Sequence, residues 1–163
     1  MNYLKRSSNW LVLPGGSDIC PSLYGKNNYA SYVSEYSRKR DDREVEEYKK
    51  ALKEGRPIFG ICRGFQLLSA LNGLTLIQNI RHPSSHTITV RDLDSNEFEG
   101  VECHVNSIHH QIPWTNNKLE GKNFKVYGYT QLSPIHEYQA DEKITCFIEP
   151  EIIHFPKTNS IGP

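Results

Sequence analysis

A short apolar run that ends in Gly-Ile-Cys-Arg-Gly constrains the fold of this chain more than any other feature. Residues 57–61 (Pro-Ile-Phe-Gly-Ile) are wholly apolar, as is typical of a strand buried on both faces. Residues 62–64 (Cys-Arg-Gly) follow, and residues 65–71 then show the apolar spacing of a helix. A nucleophile between a buried strand and a helix N-terminus sits on a sharp turn, as in a nucleophile elbow. The pattern therefore predicts an exposed, reactive Cys62.

The surroundings of Cys62 decide between a reactive and a structural cysteine. A helix N-terminus favours the thiolate over the thiol, and Arg63 adds a positive charge nearby. The alternative is a buried structural cysteine in a tight turn, because free cysteines are often buried. Gly60 and Gly64 on the two sides of Cys62, with Arg63 and Gln66 following, favour the catalytic interpretation.

The remaining pattern indicates an α/β chain with strands collected in its second half. Residues 10–13 form an apolar strand, residues 25–40 a polar loop, and residues 41–54 a helix with acidic residues in its first turn. Four further strands are predicted at residues 88–90, 101–105, 124–130 and 144–148. We interpret this as a mostly parallel central sheet with a small antiparallel extension.

Composition excludes several classes of function. The chain has 163 residues, with 19 basic and 19 acidic residues that cancel, so nothing favours nucleic acid as a partner. No apolar stretch reaches the ~20 residues of a membrane span, and the N-terminus has no secretory signal pattern. The four cysteines lack CxxC spacing and are expected to be reduced thiols. We therefore expect a cytoplasmic protein that does not bind membranes.

Four segments, in order, resemble the class I glutamine amidotransferase-like superfamily. Residues 13–25 (Leu-Pro-Gly-Gly-Ser-Asp-Ile through Tyr-Gly) resemble its oxyanion loop, and Arg40-Asp41 with Glu44 resembles the start of its helix before the nucleophile strand. Residues 57–66 resemble its nucleophile elbow, and residues 105–111 (Val-Asn-Ser-Ile-His-His-Gln) resemble its substrate-side segment. The branch to which the chain is most similar is the γ-glutamyl hydrolases, including those that cleave γ-glutamyl-γ-aminobutyrate.

The fold that we expect is α/β, a flavodoxin-like three-layer sandwich with a mostly parallel central sheet and a small antiparallel extension. Residues 1–163 would form a single domain of the glutamine amidotransferase-like type. Relatives carry a strand and a helix before the Leu-Pro-Gly-Gly segment, and only ten residues precede Leu11 here. The domain is therefore expected to be incomplete at both ends.

The resemblance implies specific roles around Cys62, the nucleophile. It places the oxyanion donors at the backbone N–H groups of Gly16 and Arg63. Gly15 would let the bare backbone approach the substrate closely, and Gln66 would contact the glutamyl group. In isolation, an ordinary turn is the preferred interpretation of Pro-Gly-Gly. A solvent-facing helix residue is the less favoured alternative for Gln66.

The substrate-side segment supplies further candidates. By resemblance, His109 binds substrate, with polar companions from the same segment that are likewise assigned to substrate binding: Asn106, Ser107, His110 and Gln111. A zinc site is the alternative for Cys103, His104, His109 and His110, although their spacing matches no standard finger. We expect no metal and no cofactor. His86 resembles a family histidine beside a strand, and its role is open.

The general base is the part of the family pattern that this sequence lacks. Relatives supply it from a late His-Pro-Glu motif, preceded by a segment like Ile161-Gly162. His154, followed by Phe155 and Pro156, is a candidate to replace that base, although it lacks the acidic partner. The alternative is that His154 is an ordinary strand or surface histidine. We therefore consider a fragment, a shortened gene product or a non-catalytic descendant.

The function implied is hydrolysis of a γ-glutamyl amide through a γ-glutamyl thioester on Cys62, impaired if the base is missing. One alternative is a glutaminase subunit that hands ammonia to a synthetase partner. The other is a binding or regulatory relic of the fold. The expected partners are a small γ-glutamyl substrate and either a second copy of the chain or a synthetase.

Overall fold

In the computed structural model, residues 9–80, 85–91, 100–107, 109–139 and 142–163 are described, with the backbone alone for 132–139 and 142–144. Two α-helices and nine strands occur in this part of the chain. The helices are α1 (Glu35–Lys53) and α2 (Arg63–Leu71). The strands are β1 (Leu11–Leu13), β2 (Ile58–Gly60), β3 (Thr75–Ile77), β4 (Ser85–Arg91), β5 (Gly100–Asn106), β6 (Ile112–Trp114), β7 (Lys125–Gln139), β8 (Glu142–Phe155) and β9 (Ser160–Gly162). Short 3₁₀ helices cover Pro21–Tyr24 and Pro156–Thr158.

Seven strands form one mixed sheet in the order β1-β2-β9-β8-β7-β4-β5. Its parallel part consists of β1, β2 and β9, with Leu11 opposite Ile58 and Ile58 opposite Ser160. The other strands pair antiparallel, and β7 and β8 form a long ribbon whose register shifts between Val126 and Tyr129 and again between Gln131 and Ile135. A separate antiparallel pair joins β3 to β6.

The α/β class is confirmed, but the prediction of a mostly parallel sheet is wrong. Two of the six neighbouring pairs in the large sheet are parallel and four are antiparallel. Parallel neighbours need a crossover of a dozen or more residues, usually a helix, whereas antiparallel neighbours need only a turn. The second half of the chain has no α-helix among its described residues, so its strands return on one another directly. The three-layer arrangement stays a prediction.

Helix α1 begins at Glu35, six residues before the predicted start, and takes in part of the predicted loop. Ser34 caps it, because its side chain accepts a hydrogen bond from the backbone N–H of Ser37 while the Ser37 side chain returns to Ser34. This reciprocal capping box uses serine where glutamate or glutamine is usual, so the pattern was hard to recognise. At its other end, Gly55 follows with φ +63°.

The core lies between the helices and the parallel part of the sheet. Leu13, Ile58, Leu67 and Leu68 are fully buried there, and Ala51 joins them from α1. A Cβ atom on Gly60 would meet the backbone of Gly64, so strand β2 and helix α2 touch main chain to main chain. This close contact sets the position at which the chain turns from β2 into α2.

No helix in the described part of the chain is long and apolar enough to cross a membrane.

Candidate active site

Cys62 lies between β2 and α2 and occupies the N-cap position of the helix. Its φ is +52° and its ψ is −108°, a conformation that residues with a side chain rarely adopt. Such backbone strain persists only where the surrounding structure enforces it, and it is concentrated at functional sites. The backbone N–H of Cys62 donates to the carbonyl of Pro163 at 3.2 Å, and the residue is half-buried. The thiol is therefore held on a strained turn and stays accessible.

A cavity of about 380 Å³ opens beside this turn. It brings together five of the residues that the sequence singled out: Cys62, Gln66, Asn106, His109 and Gln111. Apolar residues from α2, β4, β5 and β8 supply much of the remaining wall: Phe65, Ile88, Val105 and Ile152. Glu151 also lines the cavity. The elbow and the substrate-side segment thus face one space.

Two of these cavity residues are buried amides. Gln66 is 4% exposed, and its side-chain oxygen has no hydrogen-bond partner among the described residues. Gln111 is 2% exposed, and its amide nitrogen donates to the hydroxyl of Ser31 at 2.5 Å. Because buried polar atoms are nearly always paired, the Gln66 oxygen is available to a ligand N–H.

The other predicted site residues lie outside the cavity lining. Ser107 is buried, and Ile108 of the same segment lies outside the described residues. His110 lies 3.1 Å from the Asp18 carboxylate and packs its ring against Tyr32. His154, the candidate base, is on β8 opposite Lys125, and its ring stacks on Tyr127 with centroids 5.9 Å apart. Burial and the charge of Lys125 lower the pKa of His154.

The Pro14-Gly15-Gly16 turn follows β1 and lies next to the elbow. A Cβ atom on Gly15 would lie 3.9 Å from the sulfur of Cys62, so this backbone passes directly beside the thiol. Gly16 has φ +149°, which favours glycine. The carbonyls of Pro14 and Gly15 accept hydrogen bonds from the guanidinium of Arg40 in α1. The sequence analysis assigned Arg40 only to a family-like helix segment and not to the site, because nothing in its neighbours indicates a partner twenty-five residues away.

The side chain of Arg63 lies in the core against helix α1. It is fully buried and forms ion pairs with Asp41 and Glu44 of α1. Its charge is therefore compensated by two carboxylates and is not offered to Cys62. Burial raises the pKa of Asp41, and the neighbouring Arg63 opposes that shift. The backbone N–H of Arg63 remains the part of this residue that can act at the elbow.

A second polar cluster, whose grouping was not predicted from the sequence, includes His109 and Glu151 of the cavity lining. The imidazole of His86 contacts Glu151 at 2.9 Å, and His109 lies 3.8 Å from the wholly buried Glu149. Burial, followed by repulsion from Glu151, raises the pKa of Glu149 to about 8. The ligand atoms of Glu149 and Glu151 lie close together although the register of β8 is irregular at Glu151, and a two-residue spacing of glutamates is too common in sequences to signal a site.

This cluster also contains the residues best able to hold a metal ion. His86, Glu149 and Glu151 each offer a ligand atom, and these atoms lie within 4.8 Å of one another in the described part of the chain. Imidazole and carboxylate suit zinc-type ions. The four residues of the alternative zinc site are not gathered in this way: Cys103 and His104 are neighbours on β5 and point to opposite faces.

Comparisons with known proteins identify the family of the chain. The peptidase C26 family model matches residues 2–142. A glutamine amidotransferase-like protein of Lactococcus lactis subsp. cremoris, the YvdE homolog, is 37% identical over 126 residues, which cover 68% of this chain and 66% of that protein. A glutamine amidotransferase-like protein of Rickettsia prowazekii (strain Madrid E) is 34% identical over 142 residues, covering 82% of this chain and 47% of its own length.

Among solved structures, a glutamine amidotransferase from Thermotoga maritima has a similar fold, with a TM-score of 0.52 and 16% identity. The match covers 83% of this chain and 51% of that one. The chain thus spans about half to two thirds of the length of the curated relatives named here.

The family match over residues 2–142 is consistent with the order of segments predicted from the sequence and with the elbow geometry. The chain belongs to the peptidase C26 family and has a class I glutamine amidotransferase-like fold.

Proposed function

We propose that this chain hydrolyses γ-glutamyl amide bonds, with Cys62 as the nucleophile. The observation that carries the proposal is the placement of Cys62 on a strained turn at the mouth of a cavity that also holds Gln66 and His109. The half-buried thiol of Cys62 supplies the reacting atom, and the buried amide of Gln66 supplies hydrogen bonds for a glutamyl group. The specific γ-glutamyl substrate follows from the resemblance of residues 105–111 to the γ-glutamyl hydrolases.

The reaction would proceed in two balanced steps. The thiolate of Cys62 attacks the γ-carbonyl carbon, a C–S bond forms, and the C–N bond breaks as the leaving amine takes a proton. Water then adds to the γ-glutamyl thioester, the C–S bond breaks, and glutamate leaves with the thiol regenerated. Each step passes through a tetrahedral oxyanion, which fixed N–H donors stabilise.

Two backbone groups are suited to that oxyanion. Arg63 is the first residue of α2, and the first N–H groups of a helix have no partner within the helix. Gly16 is in the same turn as Gly15, whose backbone lies beside the Cys62 sulfur. Donors on both sides of the thiol would bracket the developing negative charge.

Proton transfer requires a general acid–base group, most often an imidazole, near the reacting atoms. Of the described histidines, His109 lines the cavity with Cys62, whereas His154 stacks on Tyr127. His109 is therefore in place to bind the glutamyl carboxylate or to exchange a proton with the substrate. A variant that replaces His109 should lose more function than one that replaces His154.

A glutamine-like diazoketone, 6-diazo-5-oxo-L-norleucine, tests the proposal without requiring turnover. It alkylates a thiol that lies in a glutamyl site, and the adduct can be mapped by mass spectrometry. We expect labelling of Cys62, protection by L-glutamine, and no protection of the exposed Cys103. Cys103→Ala is the matched control, because it removes an accessible thiol outside the cavity. Equal labelling of Cys62 with and without L-glutamine would contradict the proposal.

The second candidate is a non-catalytic γ-glutamyl-binding protein of the same fold. The position of His154 against Tyr127, away from the cavity lining, favours it. Hydrolysis of γ-glutamyl-p-nitroanilide separates the two candidates. Release of p-nitroaniline that disappears in Cys62→Ala supports the hydrolase, whereas protected labelling of Cys62 with no release supports the binding protein.

A further inference from the structure

Arg40 of helix α1 holds the turn beside the thiol by two hydrogen bonds. Its Nη1 donates to the carbonyl of Gly15 at 3.1 Å, and its Nη2 donates to the carbonyl of Pro14 at 2.9 Å. Hydrogen bonds from a charged donor are stronger than neutral ones and contribute about 1.5–3 kcal/mol each. A planar guanidinium with two fixed donors also defines the orientation of the carbonyls that it binds.

The same guanidinium is tied to the elbow through Glu44. The Arg40 Nε donates to one carboxylate oxygen of Glu44 at 2.6 Å, and Arg63 donates to the other oxygen. Glu44 and Arg63 are almost completely buried, and the side chain of Arg40 is 13% exposed. One carboxylate therefore joins the group that holds the Pro14–Gly16 turn to the residue that follows Cys62.

The turn is shaped to admit this guanidinium. A Cβ atom on Gly16 would overlap the Nη1 of Arg40, so only glycine lets the side chain pass so close. Gly16 and Arg63 are the two residues whose N–H groups the proposed mechanism uses. Through these contacts, Arg40 and Glu44 connect the Gly16 side of the proposed oxyanion site to the Arg63 side.

We propose that Arg40 is a positioning residue that fixes the Gly16 half of the oxyanion site relative to the Arg63 half, with Glu44 as the shared link. The inference rests on the proposed function, because it explains how the two oxyanion donors of that mechanism, the N–H groups of Gly16 and Arg63, keep their spacing. Arg40 itself touches neither the thiol nor the substrate. Its effect is on the geometry in which a tetrahedral oxyanion is bound.

Two thiol reagents separate this role from a general structural one. 5-Oxopentanoate, the γ-aldehyde of glutamate without the α-amine that would cyclise onto it, adds to the Cys62 thiol to form a hemithioacetal. A C–S bond forms, the C=O π bond breaks, and the oxygen, now on a tetrahedral carbon, takes up the thiol proton. Its affinity therefore measures the oxyanion site. Iodoacetamide alkylates the same sulfur by displacing iodide and forms no oxyanion. Its rate measures only the accessibility and ionisation of the thiol.

Arg40→Met removes the three donors while keeping a long apolar stem. We expect the affinity of the aldehyde to fall about 10-fold to 100-fold, in the range found when supporting or donor groups of a site are lost. The rate of alkylation by iodoacetamide should stay within about twofold of the parent protein. Lys39→Met is the matched control, because Lys39 is the neighbouring cation on α1 and pairs with Glu35 at the exposed surface.

Arg40→Lys provides a second variant if the methionine substitution impairs folding. Lysine keeps the charge but cannot donate in two fixed directions, so we expect an intermediate aldehyde affinity. Aldehyde binding unchanged in both folded Arg40 variants would overturn the positioning role and leave the proposed function intact. Equal losses in aldehyde affinity and alkylation rate would overturn it in favour of a structural role. Absence of any aldehyde adduct on the parent protein would overturn both proposals.

Discussion

A Cβ atom on Gly64 would overlap the carbonyl oxygen of Leu13, because helix α2 rests directly on the end of strand β1. The overlap is with main chain, so no side-chain rotation can relieve it. Gly64→Ala should therefore displace the helix or the strand. We expect a loss of about 3 kcal/mol or more in the free energy of unfolding, at the upper end of overpacking substitutions. Urea unfolding followed by circular dichroism measures this loss.

Gly73→Ala is the comparison for this prediction. Gly73 has φ +89°, and a Cβ atom there would have no atom of the described residues within 4 Å. Its substitution should cost only the strain of a left-handed backbone, about 1–2 kcal/mol. A Gly64→Ala protein as stable as Gly73→Ala would show that β1 and α2 can separate without penalty.

The buried ion pairs of Arg63 should contribute far more to stability than pairs at the surface. Arg63→Met leaves the carboxylates of Asp41 and Glu44 in the core without this partner, and such a loss costs about 3–5 kcal/mol. The exposed Lys39–Glu35 pair should contribute less than about 1 kcal/mol, measured in Lys39→Met. Thermal and urea unfolding of the two variants provide the comparison.

This destabilisation should depend on pH in a defined direction. Arg63 lowers the pKa of Asp41 against the upward effect of burial, so its removal raises the folded-state pKa further. A carboxyl with a raised folded-state pKa stabilises the fold when protonated and loses that contribution as the pH rises above the unfolded value. The deficit of Arg63→Met should therefore be largest near neutral pH and shrink on acidification. A deficit that grows in acid would contradict this explanation.

The grouping of residues around the elbow is more predictable from the sequence than the order of the strands in the sheet. Cys62 and Gln66 are close in sequence, and a strand–turn–helix pattern is enough to place them together. The order of strands depends on pairings between distant residues, such as Phe59 with Ile161, that local periodicity does not encode. The same applies to the contacts of Arg40 and to the approach of His109 to Glu149, which exist only after the sheet has formed.

Burial of Tyr24 should make stability fall at alkaline pH. Desolvation raises the pKa of its phenol from 10.0 to about 12 in the folded state. Above the unfolded-state value the unfolded chain loses this proton first, so the fold loses stability as the pH rises towards the folded value. Between about pH 9 and about pH 11 the loss attributable to Tyr24 should be about 1 kcal/mol.

Comparison with Tyr24→Phe isolates this contribution, because other groups that ionise in the same range cancel in the difference. Between about pH 9 and about pH 11, the free energy of unfolding of the parent should fall by about 1 kcal/mol relative to that of Tyr24→Phe. Tyr36→Phe is the matched control, since Tyr36 is 72% exposed. An equal shift in both variants would mean that the burial of Tyr24 is not the cause.

Gln66 should favour ligand binding at the expense of stability. Its buried side-chain oxygen has no hydrogen-bond partner among the described residues, and such an atom loses its hydration without compensation. Gln66→Met keeps the volume and removes the amide, so the free energy of unfolding should stay the same or rise by about 1 kcal/mol. The affinity for L-glutamate, measured by calorimetry, should fall about tenfold, because one hydrogen bond to the ligand is lost.

Ser69→Ala is the matched control for this prediction. Ser69 lies one turn further along α2, and its buried hydroxyl likewise lacks a partner in the described part of the chain. Unlike Gln66, it does not line the cavity. Ser69→Ala should match the gain in stability and leave glutamate affinity unchanged. A Gln66→Met protein that binds L-glutamate as tightly as the parent would remove Gln66 from the binding site.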